Sequence, residues 1–254
     1  MARHIEIDGK KYAVDHPIDI SIPLMFGGVQ PSAFGVDAAT SVACEYGSLV
    51  GDTRRGGSCN FERVTFIPHC NGTHTECVGH LTDERISVRS CLKEVLITAL
   101  LVSVEPTPIG TDTIITRPAL EAVIGERAAA ALIIRTLPNS DAKLAARYDT
   151  DNIPAYFAPE AMDLIVEYGF RHLLVDLPSI DRLLDDGKLV NHRIFWNVEE
   201  GSREINDSTR VRSTITEMIY VPDVVGDGEY LLDLQLAPFE SDAAPSRPVL
   251  LRRA

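Results

Sequence analysis

"HCNGTHTECVGH", residues 69–80, crowds three of the chain's seven histidines into twelve positions, with one glutamate, two cysteines and two glycines among them. A polar loop of chance composition is one explanation, and a metal or catalytic site is the other. His74 and Glu76 are two residues apart, so an extended backbone points both side chains to one face. Cys70 lies four positions before His74, and Gly72 between them permits a tight bend. Cysteine, histidine and glutamate are all competent ligands for a divalent transition metal. His80 is left over and close by. A metal lowers the pKa of bound water to about 7, and a neighbouring histidine can move protons at neutral pH. Spacing alone leaves the chance cluster open, together with a nucleophilic cysteine (Cys70 or Cys77) beside a histidine.

Outward from the motif, the chain is 254 residues long and 45% hydrophobic, enough for one large domain with a real core. Its formal net charge of −13 argues against nucleic acid or an anionic membrane as partner. The amino terminus lacks the apolar stretch of a signal peptide. The longest apolar run, Val95–Val104, is about half of what a membrane span needs and reads as a buried strand. Five cysteines without regular spacing do not form a disulfide framework, so the expected compartment is the reducing cytoplasm.

Short strands are expected near the amino terminus, with a hairpin through Asp8-Gly9. Thr116-Arg117-Pro118 and Pro159 open helices, and Gly169 closes the second. "AAAALIIRT" and "FRHLLVDLPS" read as strands. In "EYLLDLQLAPF" the residues Leu232, Leu234 and Leu236 are expected to face one way and Asp233 and Gln235 the other. The mixture predicts a single α/β domain over residues 1–254, strand-rich at its ends. His4 and His16 read as solvent-facing, and His172 as a satisfied core histidine. Asp176 and Asp181 read as turn holders, and Cys44, Cys59 and Cys91 as inert packing groups.

"CNGTHTECVGH" resembles the signature of the cyclase-like hydrolases, a family that includes bacterial kynurenine formamidases. That signature runs His, any, Gly-Thr-His, any, Asp, any, Pro, any, His. Here Gly72, Thr73, His74 and His80 match, while Cys70, Glu76 and Val78 replace His, Asp and Pro. The likeness continues in order along the chain. "IDISIPL" is similar to the family's opening strand, and "YGFRHLLVDLPSIDR" to its Asp-x-Pro-Ser-x-Asp segment. "NHRIFW" resembles the stretch with a later ligand histidine, "ITEMIYVP" the stretch with a later ligand glutamate, and the closing "LQLAPFESDAAPSRPVLLRRA" the family's tail.

The resemblance implies a swivelling β/β/α domain with a mixed sheet, assembled as a homodimer or homotetramer. It implies one or two divalent ions, zinc with manganese as the alternative. The implied ligands are Cys70, His74 and Glu76, with His192 and Glu217 completing the second position and His80 as proton shuttle. His69 could replace Cys70, although that breaks the spacing of four. Glu204 competes with Glu217, which is preferred because residues 197–212 then form an inserted polar loop. Phe26 and Phe34 flank a Gly/Pro-rich loop that either closes over an aromatic substrate or is plain surface, and Trp196 either lines a pocket or fills the core; all three are candidate substrate contacts. The implied substrate is a small-molecule amide, with N-formylkynurenine as the type case. Opening of a cyclic amide or lactone is the first alternative. A small-molecule binder with weak catalysis is the second.

Overall fold

The apolar run Leu96–Val104 (strand β3 below) sits in the middle of a nine-stranded mixed sheet, as its composition predicts. The structure is a computed structural model describing residues 3–254. In chain order the nine strands are β1 Ile18–Asp19, β2 His74–Glu76, β3 Leu96–Val104, β4 Ala131–Thr136, β5 His172–Val175, β6 Thr214–Glu217, β7 Gly228–Asp233, β8 Ala243–Pro245 and β9 Val249–Arg252. Their order across the sheet is β8-β2-β6-β5-β4-β3-β7-β9-β1. The block β3-β4-β5-β6 is parallel. β7, β9 and β1 extend it antiparallel on one side, and β2 and β8 on the other. This is a mixed α/β fold.

Parallel neighbours need crossovers, and here each crossover carries a helix. These are α1 Arg117–Ile124, α2 Pro159–Glu167 and α3 Val190–Trp196. The Thr116 hydroxyl accepts from the Ala119 amide and caps α1, and Pro118 sits in its first turn. Pro159 opens α2, and Gly169 follows its end with φ 78°. The hairpin through Asp8 and Gly9 forms with both residues at positive φ, which is the geometry of a tight two-residue turn.

Strand alternation divides the core. Leu100, Val102, Leu132, Ile134, Leu173 and Ile215 face the helices and pack with Leu120, Ile165 and Phe195. Ala99, Leu101, Ile133 and Leu174 face away and pack with Ile20, Tyr230, Leu232 and Leu250. Both faces are covered, so these strands read as continuous apolar runs. The alternation expected for residues 230–236 fails at its end. β7 stops at Asp233, and Leu236 packs on the helix side while Leu232 and Leu234 lie on the other. His172 is a buried core histidine bonded to Thr214 and Glu94. Cys59 is exposed, so it is not a packing group; Cys91 is buried.

The loop after β5 is anchored by a buried ion pair. Asp176 has no exposed side chain and accepts from Lys143 Nζ at 2.7 Å, from the Thr136 amide and from the Thr136 hydroxyl. Lys143 also donates to the Thr136 carbonyl and to Asn139. Removing the cation leaves a buried carboxylate without its counter-charge. Lys143→Met should therefore destabilise the protein by roughly 3–5 kcal/mol, read from urea unfolding. A loss under ~1 kcal/mol would show that Asp176 is held by its Thr136 bonds alone.

Candidate metal centre

The sheet places the motif at the carboxyl ends of the parallel strands, where ligands bind in α/β sheets. β2 pairs antiparallel with β6, with Glu217 directly opposite His74 and Ile215 opposite Glu76. Opposed residues share a face, so His74, Glu76 and Glu217 point toward the helices. α3 then presents His192 to the same point. Asp181, from the loop after β5, accepts from the amides of Asn191 and His192 and from His192 Nδ1 at 2.6 Å. It therefore holds a turn, as expected, and also orients a ring.

His192 Nε2 lies 3.0 Å from Glu76 Oε1 and 3.7 Å from Glu217 Oε1. His74 Nδ1 donates to the Gly72 carbonyl at 3.0 Å, which leaves its Nε2 with a lone pair. That Nε2 is buried, 3.5 Å from Glu217 Oε2, and has no hydrogen-bond partner among the described residues. A buried ring nitrogen with no hydrogen-bond partner is a candidate ligand position. Glu204, by contrast, is exposed in the 197–212 excursion. Glu217 is the glutamate at the site.

His69 bridges Glu76 Oε2 and Asp242 Oδ2, each at 2.8 Å, through its two ring nitrogens. His80 Nδ1 lies 3.5 Å from the same Asp242 oxygen. Ligand atoms converge within 4.8 Å in three overlapping triads: His69, His74 and Glu76; Glu76, His80 and His192; and His69, His80 and Asp242. Cys70 is in none of them. Its thiol is buried and pushed up to about 11, by burial first and then by the Glu217 carboxylate. His69 joins His74 and Glu76 in place of the expected Cys70. The bend through Ile67–Asn71, in which the Cys70 and Asn71 amides bond back to the Ile67 carbonyl, places the residue before Cys70 at the site.

The aromatic expectations divide. Trp196 is fully buried, donates its indole N–H to the Ser213 carbonyl, and packs 5.5 Å from the His192 ring. Its ring backs that of His192. Phe26 lines a cavity of about 250 Å³ with Phe66, Asn71, Thr73 and Ser246, on the Thr73–Thr75 side of β2. Phe34 is about half exposed at φ 58° and does not line that cavity. A cavity of about 610 Å³ lies against α2 and α3 and is lined by Asp163, Lys188, Arg193 and Glu199, with none of the converging residues. Asp242 was missed from the sequence. Its only signal is its place in the tail, just ahead of Ala243, which pairs with Glu76.

Residues 15–182 match the cyclase family, described as "Putative cyclase". The chain belongs to the cyclase family. Solved structures share its fold. One is a potential metal-dependent hydrolase with cyclase activity, 15% identical, covering 94% of this chain and 98% of its own, at TM-score 0.66. Another is isatin hydrolase A from Labrenzia aggregata, 16% identical, covering 94% of both chains, at TM-score 0.63. A third is isatin hydrolase A from Ralstonia solanacearum, 13% identical, covering 93% and 91%, at TM-score 0.60. A search of curated proteins finds no match.

In the metal-free protein protons take the place of cations. Burial pushes His69 down, but its bonds to Asp242 and Glu76 outweigh that and raise it to about 10, against an ordinary 6.5. His192 is likewise raised: burial opposes, and the bonds to Asp181 and Glu76 prevail. Glu76 is held low against burial by His80, His192 and His69. Folding therefore takes up protons, and the histidine share of stability is complete below about pH 6.5. That share is lost as the pH rises through about 10. The carboxylate share has the opposite sense, complete above the ordinary carboxylate range and lost as pH falls through the depressed values. Urea midpoints of the metal-free protein should fall between these two pH values, and less steeply in His69→Gln. Equal slopes would remove His69 from the linkage.

Proposed function

We propose that this cyclase-family chain, folded as one domain of the swivelling β/β/α type, is a metal-dependent hydrolase of a carbon–nitrogen amide bond. The observation that carries it is the unpartnered Nε2 of His74, buried among Glu76, Glu217 and His192. Imidazole and carboxylate donors of this kind suit zinc, with manganese as the alternative. His69, His74 and Glu76 would hold one ion, and Glu76, His192 and Glu217 a second where two bind. A bound ion supplies Lewis acidity and lowers the pKa of water to about 7.

The chain's own residues do the rest. Asp181 keeps the His192 Nδ1 proton and turns Nε2 toward Glu76. Gly72 does the same for His74 through its carbonyl. His80 is about a quarter exposed, while His74, Glu76 and His192 are nearly sealed, so it stands between solvent and the cluster. It moves the proton from the attacking water to the leaving amine. N-formylkynurenine is the first substrate to test. Opening of a cyclic amide is the second reading, favoured by the shared fold with isatin hydrolases. The reading includes a cytoplasmic homo-oligomer. Exposed Met25, Val29, Tyr46 and Ile67 support self-association, and no helix among the described residues is long and apolar enough to cross a membrane.

Zinc content and turnover of N-formylkynurenine, isatin and a simple lactone test this reading. His74→Ala should lose metal and activity together. His80→Ala should keep metal and lose about 10²–10⁴-fold in turnover. Cys70→Ser should keep its zinc, whereas His69→Ala should bind it about 10–100-fold more weakly. Stoichiometric zinc without turnover of any amide or lactone would favour the binding-protein reading. Zinc loss in Cys70→Ser would return that ligand position to the thiolate.

A further inference from the structure

Helix α3 presents side chains to two different surroundings. His192, Phe195 and Trp196 are buried on one face. Val190, Arg193, Ile194 and Asn197 stand at spacings of three and four, so they form a stripe along another face. That stripe lines the cavity of about 610 Å³ between α2 and α3. Asp163 and Val166, three apart on α2, line it from the other helix, and residues 198–201 complete the lining. Val166, Val190, Ile194 and Val198 are its apolar surface, and Val190 is left 40% exposed there.

The cavity also holds charges of both signs that do not pair with each other. Lys188 and Arg193 line it as cations, and Asp163, Glu199 and Glu200 as carboxylates. Among the described residues neither cation is in an ion pair. Backbone carbonyls fix the Arg193 guanidinium instead. Its Nε donates to the Lys188 carbonyl at 3.0 Å, and its Nη1 to the carbonyls of Glu199 at 3.0 Å and Ser202 at 2.8 Å. These neutral acceptors hold the group in place and leave its charge uncompensated. That is notable in a chain with 37 acidic residues against 24 basic ones. A cavity of this size, with apolar walls and a few fixed polar groups, has the make-up of a small-molecule site.

The unmatched charges specify the molecule. A carboxylate answers Arg193 and Lys188, and a guanidinium held in one orientation suits it well. An ammonium group answers the acidic side chains, and an apolar group answers the valines and Ile194. We propose that the cavity binds a zwitterionic amino acid with an apolar side chain, at a site separate from the metal cluster. A simple carboxylate would meet three like charges in the lining, and a simple amine two. A zwitterion satisfies both signs and brings no net charge to a chain of −13. The site does not depend on the hydrolase reading, since none of the residues converging on His74 lines it.

Calorimetric titration of the metal-free full chain with L-phenylalanine tests the proposal. Leaving out the metal prevents chelation of the amino acid at the cluster. We expect one site with a Kd of about 0.1–1 mM. N-acetyl-L-phenylalanine and 2-phenylethylamine, which each lack one of the two charges, should bind at least about tenfold more weakly. Arg193 also fastens residues 199–202, so its substitution would disturb the wall itself. Lys188 and Val190 are exposed and avoid that difficulty. Lys188→Glu should weaken binding about tenfold, and Val190→Trp, which fills the apolar wall, should abolish it. No heat of binding up to about 10 mM ligand would overturn the proposal. Equal binding of the N-acetyl compound or of the amine would overturn it too, because one charge would then go unread. Unchanged binding in both variants would place the ligand elsewhere on the protein and overturn it as well.

Discussion

The antiparallel pairing of β2 with β6 is the constraint on which the site depends. It puts Glu217 directly across from His74, although the two are far apart in sequence. On the same pair, Thr75 bonds to Thr216 and Ser246 on the opposite side of the strand. A register slip of one residue would exchange these two sets, turning His74 and Glu76 away from His192. Three hydroxyls that bond to one another on one side thus hold the register that aims the imidazole and carboxylates on the other.

The price of this arrangement is charge crowding. Glu76, Glu217, Asp181 and Asp242 surround His69, His74, His80 and His192 with little solvent between them. Buried carboxylates in such numbers need positive partners. Without an ion His69 and His192 supply them, and both are raised despite burial. An ion competes for the same nitrogens, so binding it must release protons. His74 donates from Nδ1 to the neutral Gly72 carbonyl, and its Nε2 lies 3.5 Å from Glu217 Oε2.

The sequence was legible where one local rule decides. The apolar run of β3, the Thr116 cap and the Asp8-Gly9 turn all formed as their chemistry predicts. His74 and Glu76 share a face because they are two apart on a strand, and His192 and Glu217 meet them as the ordered resemblance implied. Legibility ended where tertiary contacts decide. Spacing favoured Cys70, but the bend at Ile67–Asn71 turns the residue before it into the cluster. Trp196 was ambiguous because an aromatic one helical turn after His192 can line a pocket or back the ring, and only its burial and its bond to Ser213 separate the two. Asp242 carried no motif at all, since its importance comes from the edge-strand register.

In this cyclase-family chain the departures in the motif fall at one converging cluster. His74 Nε2 is buried with no hydrogen-bond partner among the described residues, which carries a desolvation cost of about 1–3 kcal/mol. Asp181 and Asp242 each hold a ring nitrogen of a converging histidine, His192 and His69 respectively. The change from Asp to Glu at position 76 lengthens the central carboxylate by one methylene. That length is in use, because one Glu76 oxygen reaches His192 and the other reaches His69. Glu76 thus spans two rings, one of them the residue just before Cys70. The altered signature reads as a rebuilt site whose parts were adjusted to one another.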